Sequence, residues 1–112
     1  MLYFDFEAGN KAYKLRLNTR STVALERALG CNPLGIFGDG ETIPTVTQMV
    51  SILHASLQAL EHGITLEKAY DIFDNYLEDG HTATDFIQVI LEIYKVSGII
   101  RNDSKEETVE KN

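Results

Sequence analysis

The sequence predicts a mainly α fold, a small helical bundle of about four helices with an N-terminal two-stranded β-hairpin. Residues 2–17 alternate apolar and polar side chains around a Gly-Asn pair. Beyond Asn18, apolar residues recur at helical spacing in successive stretches. Those stretches open on Asn, Ser or Thr and close near a glycine, the usual punctuation of helix ends.

The hairpin comes first. Leu2, Phe4 and Phe6 alternate with Tyr3, Asp5 and Glu7, and Tyr13, Leu15 and Leu17 alternate with Lys14 and Arg16. A two-residue turn at Gly9-Asn10 sets Phe6 against Tyr13, Phe4 against Leu15 and Leu2 against Leu17. The same register sets Asp5 against Lys14 on the wet side, so one pairing satisfies both faces. A lone hairpin is marginal in water, so its apolar face must rest on helices.

Asn18 to Thr22 offers several N-caps for a helix running to Leu29, with Val23, Leu25, Ala28 and Leu29 as its apolar side and Gly30 ending it. A short helical turn is expected over Pro33–Phe37, with Pro33 tolerated in its first turn. Thr45 and Gln48 form a capping box for the helix expected to be most central. Its stripe is Val46, Met49, Val50, Leu53, Leu57 and Leu60, widened by Ile52, Ala55 and Ala59, and Gly63 stops it. Thr65 caps a helix with the stripe Leu66, Ala69, Tyr70, Phe73 and Leu77, closed by Gly80. The last helix opens at Thr82–Asp85, buries Phe86, Val89, Ile90, Ile93 and Tyr94, and ends near Ser97-Gly98. Residues 1–100 thus form one helical domain with its hairpin, and residues 101–112 read as a disordered, acidic C-terminal tail.

Composition narrows the function classes. At 112 residues and 44% hydrophobic, the chain can fill one modest core. No apolar run approaches the ~18–20 residues of a membrane span, so no membrane is expected. The opening MLYFDFEAGN lacks the basic and apolar regions of a secretory signal, and the single Cys31 excludes an internal disulfide. A cytoplasmic setting is the simplest expectation. Residues 1–37 carry a balance of +2 and residues 38–112 a balance of −9, giving −7 for the chain. Such an acidic body repels phosphate backbones, so no nucleic acid is expected as a partner. A basic or mixed-charge protein partner suits it better.

No catalytic constellation stands out. Asp71, Asp74, Glu78 and Asp79 lie on or near one face of the third long helix, but Asp74–Gly80 lacks the alternating acids and central glycine of a calcium loop. A solvated acidic face explains them, and a partner-docking strip at Asp71, Asp74 and Glu78 stays open. His54 and His62 are two helical turns apart, roughly 12 Å, too far for one metal without further ligands. Cys31 follows a helix C-terminus, where the dipole disfavours a thiolate. Gly35–Gly40 lacks both the dinucleotide-binding spacing and the lysine of a triphosphate loop. Neither a cofactor nor a metal is expected.

Three phrases, in order, carry a resemblance: YKLRLNTRSTVALERALGCNPLGIF at 13–37, ILHASLQALEHGITLEKAYDIFDNYLEDG at 52–80, and FIQVILEIYKVSG at 86–98. The chain resembles the tail assembly chaperones of long, non-contractile-tailed bacteriophages, especially those of Gram-positive hosts and their prophages. The resemblance covers most of residues 2–100. It implies a protein that is not an enzyme, works in the host cytoplasm and is absent from the mature virion. Its implied partners are the tape measure protein, which it keeps soluble, and the tail tube protein, whose subunits it helps recruit. Such genes typically also yield a frameshifted longer form, this chain then being the short one. Glu110-Lys111-Asn112 permits the codons GAA-AAA-AAC, which contain a slippery heptamer, although synonymous codons are equally compatible. Self-association stays open.

For the contact itself, Pro33, Leu34, Ile36 and Phe37 form an apolar segment suited to an apolar stripe on a tape measure helix, to a neighbouring copy of the chain, or to plugging one end of the core. The competing readings are a small structural adaptor or tail-completion protein kept in the particle, and an acidic anti-repressor or nucleic-acid mimic.

Overall fold

A computed structural model describes residues 2–102. It contains the hairpin strands β1 (Phe4–Ala8) and β2 (Lys11–Leu15), helices α1 (Thr19–Leu29), α2 (Val46–Leu57), α3 (Leu66–Glu78) and α4 (Asp85–Ser97), and a 3-10 turn at Pro33–Phe37. The expected tail lies almost wholly outside the described residues.

The hairpin has the register its two faces require. Phe6 pairs with Tyr13, Phe4 with Leu15 and Asp5 with Lys14. Gly9 and Asn10 have φ of 62° and 65°. Positive φ at both central positions matches the right-handed twist of the flanking strands. Pairing stops at Phe4, so the expected Leu2–Leu17 pair does not form: Leu17 is buried and Leu2 exposed.

Helices cover the hairpin on its apolar face and along one edge. β1 packs on α3 and α4, and β2 packs on α2. Along the free edge of β2, the Lys14 amide donates to the Glu61 carboxylate at 2.9 Å and the Arg16 amide to the Ser56 carbonyl at 2.9 Å. With these two donors taken, the edge is a poorer template for pairing with another strand. The Arg16 guanidinium reaches the carbonyls of Leu2 and Val96, and the Leu17 amide donates to the Ser97 hydroxyl. The hairpin is thereby fastened to the end of α4.

The expected caps form. Asn18 accepts from the Ser21 amide, Thr45 and Gln48 bond reciprocally, and Thr65 accepts from the Lys68 amide. Thr82 and Asp85 also bond reciprocally at the start of α4. α4 buries the five residues its periodicity marks, Phe86, Val89, Ile90, Ile93 and Tyr94.

Three helices depart from expectation. α1 buries only Ser21 and Leu25, while Val23 and Ala28 are exposed and Leu29 is half-buried. α2 is central, burying Met49, Val50, Ile52, Leu53, Ala55, Ser56 and Leu57. It ends at Leu57 rather than at Gly63, and Val46 is exposed. The Ser56 carbonyl that would extend it accepts instead from Arg16 of the hairpin. α3 buries Ala69, Ile72, Phe73 and Tyr76, leaving the expected core residues Leu66, Tyr70 and Leu77 at 42%, 44% and 36% exposure. The rotation places Tyr76 and Phe73 against Phe86, and Tyr76 against Phe6, with ring centroids 5.1–5.7 Å apart. That aromatic cluster joins the hairpin, α3 and α4.

Candidate functional site

The rotation of α3 gives the molecule its most distinctive surface. Leu66, Tyr70 and Leu77 recur at i, i+4 and i+11, so they form one exposed apolar row along the helix. Glu67, Asp71, Asp74 and Glu78 recur at i, i+4, i+7 and i+11 and form an exposed acidic row beside it. An apolar row flanked by acid is the surface that an amphipathic helix with basic residues would cover.

The candidate acids Asp71, Asp74 and Glu78 therefore share one solvent face. Asp79 does not belong to it: its carboxylate accepts the Gly9 amide at 2.8 Å and holds the hairpin turn. No group of three or more metal-ligating side chains that could hold an ion occurs among the described residues. His54 is half-buried, His62 is exposed, and His81 stacks on Tyr76 with centroids 4.3 Å apart and planes 10° apart. His81 thus shields the edge of the aromatic cluster.

The apolar segment at 33–37 divides. Pro33 and Ile36 are buried, Phe37 is half-buried against the core, and Leu34 is exposed. The Tyr94 hydroxyl donates to the Pro33 carbonyl, and Asn32 accepts from the amides of Leu34 and Gly35. Pro33 and Ile36 plug the core and are closed to a partner. Leu34 is the large apolar residue of this segment presented to solvent.

A second feature escaped the sequence. α1 packs on α2, and an open groove of about 470 Å³ lies along their junction. Ala24, Leu25, Ala28, Ala55 and, from the start of α3, Leu66 supply its apolar lining. Small residues on α1 leave this space unfilled. Its polar lining is largely self-satisfied: Asn18 and Ser21 bond each other, and Gln58 donates to the carbonyls of His54 and Ile64. Leu66 belongs both to the lining of this groove and to the exposed row of α3. The sequence signal was Ala24 and Ala28, four apart on a helix that buries little.

Three tyrosines are held above the ordinary phenol range. Burial is the main cause in each, reinforced by Glu61 at Tyr13, Asp85 at Tyr76 and Cys31 at Tyr94. They are neutral core residues with no feature of an acid–base centre. Among the described residues, no helix is long and apolar enough to cross a membrane.

A family model described as a family of unknown function, DUF6096, matches residues 5–112, and the chain belongs to that family. No curated protein and no solved structure matches the chain.

Proposed function

We propose that the protein is a phage tail assembly chaperone of the short, non-frameshifted kind. It binds the tape measure protein, keeps it soluble and helps recruit tail tube subunits during tail morphogenesis. It acts by binding rather than by catalysis, in the host bacterial cytoplasm, and leaves before the virion is complete. A frameshifted longer form of the same chain works beside it.

One observation supports this reading above the others. The row Leu66, Tyr70 and Leu77 stays exposed beside Glu67, Asp71, Asp74 and Glu78. It lies within the phrase 52–80 that carries part of the resemblance. A protein that shields long amphipathic helices needs an apolar face, and flanking acids keep that face soluble while it is empty.

The test is co-expression with the tape measure protein encoded by the same phage. The expected outcome is a soluble complex retained on tagged chaperone, with tape measure protein insoluble when expressed alone. If tape measure protein stays insoluble and is not retained, the reading fails. Abundant chain in purified virions would instead favour the structural adaptor.

A further inference from the structure

We infer that the exposed face of α3 is covered by the outer face of α1 from a second copy of the chain, a head-to-tail contact between two unlike surfaces. The inference stands on the charge and spacing of these two helix faces and does not rest on the chaperone reading.

The α1 face is basic. Arg20, Val23, Ala24 and Arg27 recur at i, i+3, i+4 and i+7, so they share one side of the helix. All four are exposed, and together they line one open hollow of the surface. Glu26, the acid of α1, lies about 100° around the helix from Arg27 and outside that hollow. The α3 face is the opposite in sign, with Glu67, Asp71, Asp74 and Glu78 exposed beside the apolar row. Lys68, the cation of α3, lies beyond the acids on the side away from that row. The side chains of Arg20, Arg27 and the four acids make no ion pair or hydrogen bond with any described residue. Both faces are open and unpaired within the chain, so a meeting between them is a meeting between copies.

The spacing matches as well as the sign. Arg20 and Arg27 are seven positions apart, and so are Glu67 and Asp74, and Asp71 and Glu78. Seven residues span about 10.5 Å of helix, so two guanidinium groups on one helix meet two carboxylates on the other at the same interval. Beside the arginines, Val23 and Ala24 are small, whereas α3 presents Leu66, Tyr70 and Leu77. Small side chains opposite large ones let two helices approach closely. Each copy has a net charge of −7, which opposes association. Screening acts over about 8 Å at physiological ionic strength, well below the 28 Å of the molecule's shortest extent. Repulsion between whole copies is therefore damped, while charges in contact keep their attraction. Exposed ion pairs contribute little each, so the contact is weak and concentration-dependent. Because it joins unlike surfaces, it leaves an α1 face and an α3 face open at the two ends unless the copies close into a ring.

The test is sedimentation velocity on the full chain from about 10 μM to about 1 mM at physiological ionic strength. The average mass of the wild type is expected to rise across that range. Two variants reverse one face each: Arg20→Glu with Arg27→Glu on α1, and Asp71→Lys with Asp74→Lys on α3, which breaks both seven-residue acid pairs. Each should weaken association at least about tenfold. All four positions are exposed, so the melting midpoints should stay nearly unchanged. Mixing the two variants should restore association, because the intact α3 face of one meets the intact α1 face of the other. A wild type that stays monomeric across the range overturns the inference. So does association that survives either variant, or a mixture that stays monomeric, since the covering surface then lies elsewhere.

The row on α3 is also the proposed contact for the tape measure protein, so a second copy and that partner compete for it. The two ideas fail separately. A monomeric wild type that captures tape measure protein removes the contact between copies and leaves the chaperone function standing. Self-association restored by mixing, with no tape measure capture by any form, does the reverse.

Discussion

The hydroxyl of Tyr94 donates a 2.8 Å hydrogen bond to the carbonyl of Pro33, joining the last helix to the 3-10 turn across 61 positions. Tyr94 is fully buried. Tyr94→Phe keeps the ring and leaves the Pro33 carbonyl without this donor. The expected loss is about 1–3 kcal/mol of unfolding free energy, measured by urea denaturation.

The same phenol predicts alkaline sensitivity. Burial first, and the nearby Cys31 second, raise its pKa above the ordinary value of 10.0. The folded chain therefore keeps the proton at a pH where the unfolded chain has lost it. Its contribution is fully present below about pH 10 and declines as pH rises further, by at most about 1.4 kcal/mol per pH unit. Tyr13 and Tyr76 add to the trend in the same direction. Stability curves for wild type and Tyr94→Phe should converge above pH 10, and parallel curves would refute the assignment.

The hairpin turn has two independent constraints. Gly9 has a φ of +62°, and a Cβ added there would lie 2.9 Å from the Asn75 side-chain nitrogen. Gly9→Ala should destabilise by about 1–3 kcal/mol from backbone strain and this contact. Asp79→Ala removes only the bond to the Gly9 amide and should cost about 1 kcal/mol. Thermal melts of both variants order the two effects.

Phe86 meets Phe6, Phe73 and Tyr76 at ring-centroid distances of 5.8, 5.2 and 5.7 Å. Phe86→Ala should lose about 3–5 kcal/mol, a large share of the stability of a domain this size. Phe86→Leu should cost far less, which separates cavity formation from loss of the aromatic ring.

Leu34→Asp and Phe37→Asp should behave differently. Leu34 is exposed and its substitution should stay within about 0.5 kcal/mol, whereas Phe37 packs on the core and should lose at least about 2 kcal/mol. On α3, Tyr70→Ser with Leu77→Ser should leave the melt nearly unchanged and weaken tape measure capture several-fold. Unimpaired capture would move the contact elsewhere.

Local signals were legible where one residue type has one job. Gly9-Asn10 fixed the hairpin register, Thr45 and Thr65 marked helix starts, and the apolar spacing of α4 named its buried face. Faces were ambiguous where apolar residues spread around a helix. On α3, Leu66, Tyr70 and Leu77 compete with Ile72 and Tyr76, and only the hairpin's Phe6 and the last helix's Phe86 decide between them. Periodicity within one segment contains no information about that distant choice. The early end of α2 likewise depends on Arg16, which reaches the Ser56 carbonyl from the end of β2. Of the candidate site, the acids and the segment 33–37 were visible, but the groove was not. Ala24 and Ala28 announce a surface by what they fail to fill.

Arg16 and Leu17 find their partners at Val96 and Ser97, both 80 positions later. On the ribosome, the hairpin is thus made well before the residues that lock it. Until α4 has been made, the hairpin's apolar face lacks part of its cover, and Arg16 and Leu17 lack these bonds. Synthesis halted before Ser97 therefore releases a sticky fragment rather than a partial domain.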